Sequence, residues 1–370
     1  MRILVWATSF LPRIGGYEKN ILELSRRLVE RGYQVDIVTC QTGDSTSTEV
    51  MDGVVVRRVP SLLLLGGLFP VPLLSRMLLG ILVKRNNYDV VITQTRFFAL
   101  SFVGTVFSLI HRLPLIHVER GSCHTVTTNP VIGILSRMYD HSIGYWIIKK
   151  ARQVIGVSST ACQFTKHLGA KGPTRIPNGV VLLDGIDSSR LDASVILYVG
   201  RLIQAKGVQD LIEVFKMTSS RFHLAIVGSG PYCERLQEIA SMCDNIRFYG
   251  ELTGKSLEVL YRHAAIFVNP SYSEGLPTAV MEAAAAGVPL IATDVGGTQD
   301  IVQQGITGLL VKPKDIDGLM YAINWMLDNR ETAWRMADVC RERLSSLYSW
   351  DKITDQYCEL LEDLCKGIGV

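Results

Sequence analysis

The sequence predicts an α/β protein made of two doubly wound parallel-sheet domains facing each other across a cleft. Three observations predict it. Short apolar runs rich in β-branched residues alternate with helical patterns along the whole chain, the signature of strand–helix–strand units. That rhythm stops in a polar, turn-rich stretch over Leu182–Ala193, where Asp184, Gly185, Asp187, Ser188, Ser189 and Asp192 suit a linker, and then restarts. Finally, 370 residues with 48% hydrophobic content are too many for one ordinary domain and enough for two cores. The expected domains are residues 1–185 and 194–345.

In the first half, Arg2–Ala7 reads as a strand and leads into a loop carrying Gly15-Gly16. A helix follows through Ile21, Leu22, Leu24, Leu28 and Val29, ended by Gly32. Val35–Cys40, Val54–Val59, Val90–Thr93, Leu115–Glu119 and Gln153–Val157 are the next strands. The second half begins with strand Val195–Gly200, helix Val208–Phe215 and strand His223–Val227. Ile246–Tyr249, Ile266–Asn269 and Leu290–Thr293 continue the series. Ligands of such sheets bind at the carboxyl ends of the strands, which is where the polar motifs of this chain fall.

The net charge is +3, but the halves differ. Residues 1–185 hold 21 Lys/Arg against 11 Asp/Glu, and residues 186–370 hold 17 against 24. A basic half joined to an acidic one suits an anionic partner for the first domain: a phosphate-bearing lipid, a membrane face or nucleic acid. Nucleic acid is the weakest of these, because no basic helix or aromatic platform stands out. The eight cysteines form no CxxC pair and no metal spacing with histidine, so reduced core residues in a reducing compartment are expected. No signal peptide is expected at the start. Ser61–Val83 is very apolar, yet Pro60, Gly66, Gly67, Pro70, Pro72 and Arg76 interrupt it before the ~20 residues a spanning helix needs. The expectation is an irregular apolar loop and a helix over Leu73–Val83, either buried or touching a membrane face beside Arg57, Arg58, Lys84 and Arg85.

Four clusters carry possible chemistry. The most specific runs from Asn269 through Pro270-Ser271-Tyr272-Ser273-Glu274-Gly275-Leu276-Pro277-Thr278 to Glu282. A strand delivers a loop bearing Glu274, and a helix starts near Pro277-Thr278, where Pro and Thr are favoured. The N–H groups of Gly275 through Thr278 and the helix dipole suit a phosphate. Glu274 and Glu282 flank that site and can accept hydrogen bonds from hydroxyl groups; carboxylates beside a diphosphate make electrostatic sense only if they face a sugar. In the second cluster, Gly200-Arg201 leaves a strand tip and Lys206-Gly207 precedes a helix, placing two cations to stabilise a departing diphosphate without a metal. Taken alone, two surface cations and two solvated glutamates are the bland reading; the ordered string is what speaks against it. The third cluster is Gly15-Gly16-Tyr17-Glu18, where paired glycines permit close backbone approach to a ligand. The fourth is His117-Val118-Glu119-Arg120-Gly121-Ser122-Cys123-His124. A strand histidine is more often a hydrogen-bonded core residue than a catalyst, which is the bland reading for His117. Neither Gly15-Gly16 nor Gly228-Ser229-Gly230-Pro231 is a dinucleotide fingerprint.

With these residues in view, the chain resembles the retaining GT-B glycosyltransferases of family 4, the glycosyl transferases group 1, whose two domains are Rossmann-like. The likeness rests on Gly200-Arg201, Lys206-Gly207, Ile226 through Pro231, Phe248-Tyr249-Gly250, Pro270-Ser271, Glu274 through Pro277, Glu282-Ala283, Ala292 through Gly297, Gly305, Thr307 through Val311 and Pro313. In the first half Gly15-Gly16, Glu18 and Ile176 through Val180 also match. The resemblance implies that Arg201 and Lys206 bind the donor diphosphate with backbone N–H groups around Leu276, Pro277 and Thr278. Glu282 would hold ribose hydroxyls, Glu274 the hydroxyls of the transferred sugar, and backbone near Glu251-Leu252 the base. Gly15 and Gly16 would lie against the donor phosphates or the acceptor from the other side, and Asn178 would join the donor side. Residues 346–370 resemble helices that cross back to the first domain. The implied reaction is retaining transfer of a sugar from a nucleoside-diphosphate sugar, with no cofactor and no metal.

Two departures stand out. Where the family often has a histidine before a glycine, this chain has Arg120-Gly121, so that role passes to His124, to Arg120 or to neither; Arg120 and His117 are placed on the acceptor side. An arginine can donate hydrogen bonds but is no base at neutral pH. The acidic residue usual after Asn178-Gly179-Val180 is replaced by Val181. Asp315-Ile316-Asp317 looks like a metal-binding DxD, but its place before a helical pattern suits capping better. The leading reading is a glycosyltransferase at the cytoplasmic face of the membrane, acting on a lipid-linked or surface-glycan acceptor. A nucleotide-sugar 2-epimerase and a non-catalytic nucleotide-sugar-binding module are the alternatives.

Overall fold

The computed structural model describes residues 1–13, 15–41, 45–64, 69–83, 87–127, 129–183, 194–217 and 222–366. The chain divides into two units, Met1–Gly179 with Trp350–Val370, and Val180–Ser349. The linker expected at Leu182–Ala193 falls, from residue 184 onward, outside the described residues.

The first unit contains β1 (Arg2–Trp6), α1 (Gly16–Glu30), β2 (Gln34–Cys40), β3 (Thr48–Met51), β4 (Val54–Val59), β5 (Ser61–Leu64), β6 (Phe69–Pro72), α2 (Arg76–Val83), β7 (Val90–Gln94), α3 (Ala99–His111), β8 (Leu115–Glu119), α4 (Pro130–Tyr139), α5 (Tyr145–Lys150), β9 (Gln153–Gly156), α6 (Ser159–His167) and β10 (Thr174–Arg175). Its eight-stranded sheet has the order β10-β9-β8-β7-β1-β2-β4-β3, parallel except for β3. Chain order reverses between β1 and β7, so the loops after those strands open a crevice at their carboxyl ends. All five residues of β7 and of β8 are buried, as expected for strands covered on both faces. Trp6, Tyr88 and Phe107 are the large side chains of the core beneath them.

The second unit contains β11 (Val195–Val199), α7 (Val208–Met217), β12 (His223–Val227), α8 (Cys233–Ala240), β13 (Ile246–Gly250), α9 (Gly254–His263), β14 (Ala264–Asn269), α10 (Thr278–Ala285), β15 (Leu290–Thr293), α11 (Thr298–Ile301), β16 (Leu309–Val311), α12 (Ile316–Asp328) and α13 (Arg330–Tyr348). Its all-parallel sheet runs β13-β12-β11-β14-β15-β16, with the reversal between β11 and β14. The last helix, α14 (Trp350–Lys366), belongs to the first unit. It packs on α1, with Arg27 paired to Asp351 at 3.0 Å and Arg31 to Asp355. Gly179 is required where the chain passes this helix, because a Cβ there would sit 2.3 Å from the Trp350 ring.

One expectation needs correction. Of the apolar stretch after Pro60, the described residues form no irregular loop: β5 and β6 pair antiparallel as a separate two-stranded ribbon. A two-stranded ribbon is all edge, so Pro70 and Pro72 cost it no ladder bond in a sheet interior. The helix starts at Arg76 rather than Leu73, after Ser75 has accepted the Leu78 N–H at 3.2 Å. It is buried on one side by Leu78 and Ile81 and exposes Leu79 and Val83 on the other. No helix among the described residues is long and apolar enough to cross a membrane.

Candidate functional site

At the β11/β14 reversal the second unit brings its two main clusters together. The turn Gln204–Lys206 lies directly against the loop after β14: the Tyr272 N–H donates to the Ala205 carbonyl at 2.8 Å. Gly207 makes that approach possible, with φ of +68° and space so short that a Cβ would lie 2.0 Å from the Pro270 carbonyl oxygen. Lys206 Nζ then reaches Glu274 Oε1 at 2.6 Å. The same carboxylate oxygen accepts from Ser271 Oγ at 2.7 Å and from Asn269 Nδ2 at 3.3 Å. Burial pushes the Glu274 carboxyl upward, but the Lys206 ammonium and these hydrogen bonds outweigh it and hold it below the usual carboxylate value. The carboxylate is thus charged and fixed in direction.

Arg201 is exposed at the tip of β11, and its carbonyl accepts from the buried Tyr198 hydroxyl at 3.2 Å. The Gly228-Ser229-Gly230 turn sits on this tip: Cβ atoms would meet the Gly200 and Leu202 carbonyls at 1.9 and 2.3 Å. The Gly228 N–H donates to the Gly250 carbonyl at 2.7 Å, which brings the end of β13, and so half-buried Leu252, to the same rim. Pro277 is the N-cap of α10 and offers no side-chain acceptor, so the first-turn N–H groups of Thr278, Ala279 and Val280 keep the anion-binding potential of a helix start. One turn on, Glu282 accepts from the buried Tyr261 hydroxyl at 3.0 Å, which fixes its orientation. The Gly275 carbonyl accepts from the Gly297 N–H at 2.9 Å, tying the loop after β15 to the site.

The first unit holds the remaining candidates. Gly15 is the N-cap of α1 and Gly16 its first residue, with the Glu18 carboxylate folded back so that a Cβ on Gly15 would lie 2.5 Å from it. Arg120 is a clamp: its guanidinium donates to Gln94 at 3.1 Å, Asn178 at 2.7 Å and Asn20 at 2.9 Å, and lies over the Tyr17 ring. His117 is fully buried, with Nδ1 2.9 Å from Thr93 Oγ1 and Nε2 3.5 Å from Glu119. It occupies a core position and presents no surface to an acceptor. His124 has a partner of its own: its Nδ1 is 2.6 Å from the buried Asp140 carboxylate.

Sequence reading passed over Arg96. This buried guanidinium pairs with Glu119 at 3.0 Å and Asp140 at 2.9 Å. Burial alone would raise the Glu119 carboxyl, but Arg96, His117 and the Gly121 N–H lower it to about 2. Its place just after β7, at the reversal point, was the available signal. Tyr261 was equally silent, and Asn269 and Ser271 lay in the motif string without a role, because what each does depends on which carboxylate it meets. Asp315 Oδ1 accepts the Gly318 N–H at 2.9 Å, the capping role expected from its position.

The family description glycosyl transferases group 1 matches residues 186–343, and glycosyltransferase family 4 matches residues 14–182. An uncharacterized glycosyltransferase of Methanocaldococcus jannaschii is 25% identical over 98% of this chain and 99% of its own. Among solved structures, sucrose-phosphate synthase from Thermosynechococcus elongatus superposes with a TM-score of 0.82 at 23% identity, covering 99% of each chain. The Anabaena protein HepE in complex with UDP-glucose gives a TM-score of 0.78 at 18% identity, covering 98% of this chain and 100% of that one.

Proposed function

The chain belongs to the family 4 glycosyltransferases of the GT-B fold, and from that premise we propose that it transfers a sugar from a nucleoside-diphosphate sugar, with retained configuration and without a metal, to a lipid-linked or surface-glycan acceptor. The observation that carries this reading is the Lys206–Glu274 pair at the β11/β14 reversal, 2.6 Å apart beside the start of α10. The cation meets the diphosphate, the carboxylate meets sugar hydroxyls, and Glu282 meets the ribose. As the bond from the sugar's anomeric carbon to the diphosphate breaks, its electron pair leaves with the nucleoside diphosphate. Arg201, Lys206 and the α10 N–H groups stabilise that charge. The acceptor oxygen bonds to the same face, and its proton passes to the departing phosphate oxygen. Arg120, fixed as a hydrogen-bond donor to three amides, supports the first-unit side and stands at the place of the family's histidine, with His124 four residues further on.

The acceptor reading draws on exposed apolar side chains of the first unit: Leu73, Leu74, Leu79 and Val83, and along α4 Val131, Ile134, Leu135 and Met138. Together with the basic balance of residues 1–185, they suit peripheral contact with an anionic membrane at its cytoplasmic face. Incubation with UDP-, GDP- and ADP-sugars, with and without detergent-solubilised membrane lipids, tests the proposal through released nucleoside diphosphate. Lipid-dependent release that disappears in Glu274→Ala and Lys206→Ala supports it. Binding of a donor with no turnover under any condition overturns transfer in favour of a nucleotide-sugar-binding module.

A further inference from the structure

Three histidines far apart in sequence converge on one face of the first unit, outside the residues assigned to sugar transfer above except for His124. His124 lies in the loop after β8, His141 in the π-helical turn Asp140–Gly144 between α4 and α5, and His167 at the end of α6. Their ring centroids are 5.4, 6.3 and 5.7 Å apart, and one nitrogen from each ring lies within 4.8 Å of the others. Metal–nitrogen bonds of 2.0–2.1 Å need those nitrogens closer still. His141 and His167 are exposed, so rotation about their side-chain bonds closes the gap without moving the backbone.

The surroundings favour a cation over an anion. The Nδ1 of His124 is held by Asp140 at 2.6 Å, which sets that nitrogen as the donor and leaves Nε2 as a lone-pair ligand. A carboxylate behind a histidine is the usual outer partner of a metal-bound imidazole, fixing its tautomer and raising its basicity. Asp140, Glu119 and Arg96 form one buried group with two negative charges and one positive, so the field behind His124 is negative overall. Phe164 packs edge-on against the His124 ring at 5.1 Å and along His167 at 6.4 Å, giving the trio an apolar floor. His141 lies in the π-helical turn that follows α4, and such turns recur at functional sites.

We propose that His124, His141 and His167 form a three-imidazole site for a divalent transition metal of the zinc class, with Asp140 as the outer-shell carboxylate and a fourth position open to water. Imidazole donors suit zinc, nickel and copper, and an open fourth position is the mark of a three-ligand zinc site.

The test uses the untagged full chain and Zn²⁺ alone, measured by equilibrium dialysis and by competition with a chelating dye. One Zn²⁺ per chain is expected, weakened at least tenfold in His141→Ala and again in His167→Ala, both exposed positions whose thermal melts stay at the wild-type value. Co²⁺ is expected to bind with the same stoichiometry and to give visible bands of a four-coordinate nitrogen site. Cys123→Ser is expected to leave binding unchanged; loss there places the metal on a thiolate and overturns the assignment. Wild-type affinity no better than that of the His141→Ala/His167→Ala double variant overturns it as well.

Discussion

Lys206 and Glu274, 68 positions apart in the chain, meet Nζ to Oε1 at 2.6 Å and hold each other across the crevice between β11 and β14. The pair is mostly shielded, with side-chain exposures of 20% and 10%, so each partner depends on the other for its charge to be tolerated. Lys206→Ala is expected to lower product release by about 100- to 1,000-fold, the usual cost of removing one donor to a developing anion. It is also expected to destabilise the fold by about 3 kcal/mol, because Glu274 is left with an unpaired charge. Lys206→Met with Glu274→Gln regains most of that stability and none of the turnover. Urea unfolding and nucleoside-diphosphate release together separate the two effects.

Gly207 and Gly250 offer a comparison at matched backbone geometry, with φ of +68° and +67°. A Cβ on Gly207 collides with the Pro270 carbonyl at 2.0 Å, while one on Gly250 meets nothing within 4 Å. Gly250→Ala is therefore expected to cost only the left-handed backbone penalty, about 1 kcal/mol. Gly207→Ala should cost about 3 kcal/mol or more and displace Lys206 from Glu274. Equal melting shifts for the two variants would contradict the packing argument.

Glu119 gives a pH signature. Its carboxyl is held near 2 in the folded chain by Arg96, His117 and the Gly121 N–H against the effect of burial, whereas an unfolded glutamate titrates near 4.5. The unfolded state thus takes up the proton first, so stability present at neutral pH falls as pH drops from about 4.5 toward 2. Glu119→Gln is expected to be less stable at pH 7 and to lose less between pH 5 and pH 3. Urea midpoints at those pH values check this; a parallel loss in both proteins refutes it.

Arg120 holds Gln94, Asn178 and Asn20 with one planar group. A lysine ammonium cannot reach all three in that geometry. Arg120→Lys is expected to cost about 1–2 kcal/mol, from one or two lost hydrogen bonds at roughly 1 kcal/mol each. A melting temperature equal to wild type would show that the amides find other partners.

Membrane contact is testable without disturbing the core. Leu74 and Val83 are each 77% exposed, and Ile134 and Leu135 are mostly exposed on α4. Aspartate at Leu74 and Val83, or at Ile134 and Leu135, is expected to lower affinity for anionic vesicles about a hundredfold, since losing the burial of each of the two apolar side chains is worth roughly 1.5 kcal/mol. The melts should not move. Undiminished vesicle binding in both variants would remove the membrane from the proposal.

Much of this protein was legible from its residues alone. The strand positions follow from local apolar runs, because a strand buried on both faces needs side chains that are apolar at nearly every position. The start of α10, the capping by Asp315 and the core character of His117 follow from propensities that act within a few residues. The ribbon β5–β6 was not legible, since its prolines argue against a strand unless the ribbon has no sheet interior to disrupt. Only tertiary structure decided that Lys206 neutralises Glu274, that Tyr261 aims Glu282, that Arg96 joins Glu119 to Asp140, and that three histidines share one face. The physical reason is range. Hydrophobic periodicity and capping are short-range properties written into neighbouring residues, whereas charge pairing and side-chain aim depend on which distant strands the sheet places side by side.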